Sequence, residues 1–238
     1  VTHRRMNYLE KMLKQKTGND LTVFSLACPG EMISDAYMIS RSLFGSGIKP
    51  KVVIATIAPR DFVDSTLPFP GVTDPFKFFN NYVSLNGLES AAYPEFFARM
   101  GAEMERLPLK HAGKIYTRRD IEVTTSDWDN LDPNRVELGK SMIPANALPP
   151  WSDNSKEYIE RFRHPFTANY VPEMRFFKAW IKGMKEQGID VMVVCMPTLE
   201  MNRKLLPEKF WTTFRAEVQQ VCKDNQADWF DLSDSGLF

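Results

Sequence analysis

The sequence predicts an α/β fold built on a mostly parallel sheet, and three observations predict it. Apolar runs at residues 21–26, 52–57, 190–196 and 228–232 have strand length and are rich in Val, Ile and Phe. Amphipathic stretches, with apolar positions three and four residues apart, separate them. Read in order, the pattern is α-β-α-β, a long irregular segment, then α-β-α-β. Alternation of this kind implies strand–helix–strand units with helices on both faces of the sheet.

Met6, Leu9, Met12 and Leu13 recur at helical spacing over residues 2–16, and Gly18 is placed to end that helix in a left-handed turn. The run at 21–26 reads as a strand that stops at Cys28-Pro29-Gly30. Ile33, Ala36, Tyr37, Ile39, Ser40 and Leu43 then define a second helix over 31–44. Gly45-Ser46-Gly47 stops it, and Pro50 leads into a strand ending on Ala58-Pro59-Arg60-Asp61. That Gly-Ser-Gly follows a helix, whereas a phosphate loop precedes one, so it reads as a stop signal.

Residues 65–171 break the pattern. Prolines and aromatics are dense there, as in Pro68-Phe69-Pro70 and Leu148-Pro149-Pro150-Trp151, with short helical patterns only at 76–84 and 92–105. Trp128, Trp151, Phe162, Phe166 and Tyr170 favour a packed lid or binding insertion over a loose linker. Regular pattern resumes at Pro172, with a helix to about residue 187 and Gly188 as its cap. A strand at 190–196, a helix at 207–225 and a short strand at 228–232 complete one domain spanning 1–238. The opening helix has no strand before it, which places the first strand of the sheet ahead of Val1.

Composition removes several functional classes. Thirty basic residues balance thirty acidic ones, so no global field draws the chain to nucleic acid or an anionic membrane. Arg118-Arg119 reads as a solvated loop. Cys28, Cys195 and Cys222 are odd in number and lack CxxC spacing, which argues against a disulfide framework and a zinc site. No apolar stretch reaches the ~20 residues of a membrane-spanning helix.

Conventional catalytic signatures are missing: the sequence has no GxSxG, HExxH, GxxxxGKS/T or GxGxxG. Its histidines, His3, His111 and His164, lie in the opening helix and the insertion rather than after a strand. Asp231 and Asp234 share only part of a phosphatase loop and come at the last strand. The informative residues stand where two strands end, the edge at which open α/β sheets bind ligands. Gly30 permits a tight turn, and equally offers an unobstructed backbone N–H to a developing oxyanion. Asp61 can cap the segment it begins, or serve a site. Arg60 ends a very apolar strand, so its guanidinium must reach solvent, a carboxylate or an anionic ligand.

The stretches VFSLACPGEMISDA (23–36) and VVIATIAPRDFVD (52–64) resemble the second and third conserved blocks of the SGNH (GDSL-type) hydrolases. They are most similar to the divergent, envelope-associated relatives of alginate O-acetyltransferase-like proteins. QGIDVMVVCMPTLE and ADWFDLSDSGLF resemble the penultimate and final strands of that family. The resemblance covers residues 1–64 and 172–238. It implies a flavodoxin-like three-layer α/β/α fold in which Gly30 N–H joins the oxyanion hole. The family's Gly-x-Asn-Asp block corresponds to Ala58-Pro59-Arg60-Asp61. Asp61 matches, while Ala58 replaces Gly and Arg60 replaces the oxyanion-binding Asn.

The resemblance further implies a Ser nucleophile ahead of Val1 and an Asp-x-x-His pair beyond Phe238. Residues 1–238 would then hold only the oxyanion side of a site (Gly30, Arg60 and Asp61) and be inactive alone; Ser25, within a strand, and Ser34, on a helix, are poor substitutes. The implied reaction is ester hydrolysis or O-acyl transfer on an acylated carbohydrate or other envelope component, without metal or organic cofactor. An anchor upstream and a location in the cell envelope or periplasm are implied in the same way. Two rival expectations stand beside it. One is a non-catalytic SGNH-like domain that binds carbohydrate through the insertion's aromatics and Arg60. The other is an unrelated flavodoxin-like ligand-binding domain.

Overall fold

A computed structural model describes residues 2–27, 31–45, 47–67, 155–165 and 169–234. The chain divides into two compact units, with residues 2–27 in one and the described residues from 31 onward in the other. Elements are numbered in chain order among the described residues.

In the first unit, α1 (Thr2–Thr17) ends with Lys14 and Lys16 in its last turn, where cations favour the helix dipole. Gly18 follows at φ +74°, a left-handed conformation that suits glycine, and its N–H bonds the Lys14 carbonyl at 2.8 Å. Residues 21–26, expected as a strand, carry no regular secondary structure. Phe24 is 72% exposed, and the Glu10 carboxylate accepts the Val23 N–H at 2.6 Å. The reason is pairing. An extended run becomes a strand only when a neighbour takes its backbone donors and acceptors, and no described strand pairs with this one.

The second unit is α/β. α2 (Ile33–Gly45) precedes β1 (Val52–Ile57), and a single 3₁₀ turn (Pro59–Asp61) follows that strand directly. α3 (Ser155–Arg161) and α4 (Tyr170–Glu186) come next, then β2 (Asp190–Cys195), the one-turn α5 (Glu200–Arg203), α6 (Glu208–Asp224) and β3 (Asp228–Asp231). Pro172 sits in the first turn of α4, where its missing N–H costs nothing. Gly188, at φ +74°, turns the chain out of that helix toward β2.

The strands form one parallel sheet in the order β1-β2-β3, with Ile57, Cys195 and Asp231 level at its carboxyl end. Alternate positions are buried: Ala55 and Ile57 on β1, Val191, Val193 and Cys195 on β2. α2, α4 and α6 pack against that face in one continuous core. Phe62 sits at its centre, edge-on to Phe177 at 5.6 Å and to Phe214 at 5.1 Å. Handedness explains the arrangement. Right-handed crossovers from β1 to β2 and from β2 to β3 step the same way across the sheet, so they place α4 and α6 on the same side. The other face bears Val52 and Ile54, each 54% exposed, and Phe230 at 46%. Of the proposed insertion, residues 68–154 and 166–168 lie outside the described residues, and with them the helical patterns at 76–84 and 92–105 and the aromatics Trp128, Trp151 and Phe166.

Candidate functional site

The carboxyl end of β1 brings Arg60 and Asp61 together. Pro59 fixes the backbone for the 3₁₀ turn, and Asp61 closes it: the Asp61 carboxylate accepts the Ala58 N–H at 2.7 Å, while its own N–H bonds the Ala58 carbonyl at 3.0 Å. Arg60 Nη1 stands 3.8 Å from Asp61 Oδ1, close enough to attract but too far to hydrogen-bond. Both side chains are mostly covered, at 22% and 21% exposure. Burial pushes the Asp61 carboxyl up to about 6, against the lowering pull of the Ala58 N–H and of Arg60. Asp35 lies near enough to push the same way. Asp61 thus shapes the turn, and Arg60 is left with donors that no described residue engages by a hydrogen bond.

Asp35 brings in the second expected loop. It belongs to the first turn of α2, is fully buried, and accepts the Met32 N–H at 2.7 Å. The entry to α2 and the loop after β1 therefore share one edge, as a ligand site at strand ends requires. Gly30, the third expected site residue, lies outside the described residues, as does Cys28. Ser34 is wholly buried and donates to Glu173, while Ser25 sits in the first unit without secondary structure.

Sequence reasoning missed the groups that hold this edge in place. Glu173 and Asn169 at the start of α4 bond the α2 entry and the loop after β1 respectively. Asp64 pairs with Arg161 of α3, whose other donors reach Glu157. One signal was present: Glu173 falls in register with Phe177, Trp180 and Met184, a charged residue on an otherwise apolar helix stripe. Nothing in the sequence named its partner.

The remaining titratable groups read as structure. The Cys195 thiol is buried at the end of the central strand, and burial, with Asp231, pushes it up to about 12, far from a reactive thiolate. Burial also pushes Cys222 up to about 11. At the end of β3, Arg215 Nε lies 2.8 Å from Asp231 Oδ2, its Nη2 donates to Ser233 Oγ at 2.9 Å, and the guanidinium stacks on Trp211 at 5.3 Å. A shallow groove lined by Gln219, Gln220, Cys222, Lys223 and Trp229 lies toward the amino end of β3. Among the described residues no His, Cys, Asp and Glu cluster could hold a metal ion, and no helix is long and apolar enough to cross a membrane.

No protein-family model matches this chain, and no curated protein or solved structure is significantly similar to it. Function rests on the chain's own geometry.

Proposed function

We propose that this chain is an SGNH-like domain of flavodoxin-like layering, acting in ester hydrolysis or O-acyl transfer on an acylated carbohydrate or similar envelope component. The nucleophilic Ser and its Asp-x-x-His partners lie outside residues 1–238. Gly30 N–H and the Arg60 guanidinium hold the oxyanion that develops when Ser attacks the ester carbonyl. The bond from Ser Oγ to the acyl carbon forms, the leaving alcohol departs protonated, and water or an acceptor hydroxyl then takes the acyl group. A guanidinium does here what an Asn amide does in the family, with a charge-assisted hydrogen bond roughly twice as strong as a neutral one.

The observation that carries the reading is Arg60. It stands at a strand's carboxyl end, largely covered, with its nearest carboxylate already engaged by a backbone N–H and too distant for a hydrogen bond. A covered guanidinium held this way suits an anionic or oxyanionic ligand. The exposed apolar face of the sheet supports the layered fold. Parallel sheets are covered on both faces, so Val52, Ile54 and Phe230 call for a second helical layer.

Labelling the full-length protein with a fluorophosphonate probe tests the proposal. The expected product is a single Ser adduct on a residue upstream of Val1, with matching loss of turnover on a small acetyl ester. No adduct and no ester turnover would overturn the hydrolase reading.

A further inference from the structure

We propose that Glu173 is a positioning residue, one that fixes the entry of α2 against the loop after β1; its catalytic consequence rests on the reading of that edge as an acyl-transfer site. Glu173 is fully buried in the first turn of α4. Both of its oxygens serve one residue of α2: Oε2 accepts the Ser34 N–H at 2.6 Å, and Oε1 accepts the Ser34 hydroxyl at 2.9 Å.

The first N–H groups of a helix have no partner within it and need a cap. α2 cannot supply its own in the ordinary way, because the residue at its cap position, Met32, has no acceptor in its side chain. Asp35 takes the Met32 N–H, and Glu173 takes the buried Ser34 N–H, the second of the helix, from 139 positions away. A local Ser or Asn would satisfy that donor without taking a carboxylate out of water, which is costly. What a local cap cannot do is tie two elements together.

The tie continues through Asn169. Its Nδ2 donates to the carbonyls of Asp64 at 2.7 Å and Leu67 at 3.2 Å, on the chain that leaves the Arg60-Asp61 turn. The start of α4 therefore grips the α2 entry with Glu173 and the loop after β1 with Asn169. The spacing between the entry of α2 and the loop after β1 is set by one turn of one helix. Asp35 and Asp61, held on the two sides, are close enough for each to feel the other's charge.

Two variants of the full-length protein test this, with amide hydrogen exchange as a readout independent of activity. Glu173→Leu fills the same space and removes both acceptors. Exchange at Ser34 should rise by roughly 10- to 100-fold, the change expected when one buried donor loses its partner, with a smaller rise over residues 58–67. Protection of Val193 in the central strand should hold. Glu173→Gln keeps an acceptor for the Ser34 N–H and should stay near wild type. On a small acetyl ester, Glu173→Leu should lower kcat by about tenfold with KM within about twofold, and Glu173→Gln should restore it. Unchanged exchange at Ser34 in Glu173→Leu overturns the proposal. A uniform loss of protection that includes Val193 also overturns it, because Glu173 would then stabilise the whole fold. Local exchange changes in a protein that turns over no ester uphold the clamp and overturn the hydrolase reading instead.

Discussion

Among the described residues, the arginine–aspartate pairs at the ends of β1 and β3 differ in almost every respect. At the end of β3, Arg215 lies 2.8 Å from Asp231, donates to Ser233 and lies over Trp211. At the end of β1, Arg60 is 3.8 Å from Asp61, which is itself held by the Ala58 N–H. The first guanidinium is tied to Asp231, Ser233 and Trp211 at once and reads as structure. The second leaves donors in a covered place with no hydrogen bond from the described residues, and reads as a site. The residue types are the same; the difference lies in how completely each guanidinium is used.

The largest effect that can break this contrast is on turnover. Arg60→Ala in the full-length protein should lower kcat by at least ~10²-fold, the size of losing one oxyanion donor. Arg215→Ala should leave kcat within a few fold. Equal losses would remove the distinction.

Asp61 gives the next largest effect, through pH. Its carboxyl stands at about 6 in the fold, above its ordinary value of 3.8, chiefly because burial disfavours the charge. The folded state therefore holds that proton more tightly than the unfolded chain does. The stability this contributes is fully present below about pH 4 and is lost as pH rises through about 6. Asp61→Asn keeps an acceptor for the Ala58 N–H and removes the charge, so it should flatten that fall, by about 2 kcal/mol at most. Chemical denaturation at pH 4 and pH 7 measures it, and an unchanged difference between the two would contradict the burial of this carboxyl.

Stability separates the pairs more finely. Arg215→Ala should cost about 1 kcal/mol, since the ion pair is about a third exposed and the Ser233 bond and Trp211 stack carry most of the effect. That corresponds to a Tm lower by about 2–4 °C for a chain of this size. Arg60→Ala should change Tm least, by the equivalent of under about 0.5 kcal/mol. A larger loss at Arg60 than at Arg215 would reverse the assignment of roles.

Much of the second unit was legible in the sequence because each element carries its own period. The strands at 52–57 and 190–195 alternate or run apolar, and the helix ending at Gly188 announces its stop with a glycine held at positive φ, as α1 of the first unit does at Gly18. The stretch at 21–26 has the same local character, yet it is not a strand in the fold. Its state depends on a pairing partner, which no local pattern encodes. The site shows the same division. Arg60 and Asp61 are adjacent in sequence and could be singled out together. Glu173, Asn169 and Arg161 act on partners about a hundred positions away, so only the packed fold joins them.

In the proposed function, Arg60 supplies the hydrogen bond an Asn amide would supply to the oxyanion. Measuring kcat for Arg60→Asn beside Arg60→Ala in the full-length protein tests it most directly. Asn should recover most of the turnover Ala loses, on the order of tenfold or more, because a neutral donor still reaches the same oxygen. Asn and Ala variants with the same residual kcat would contradict it.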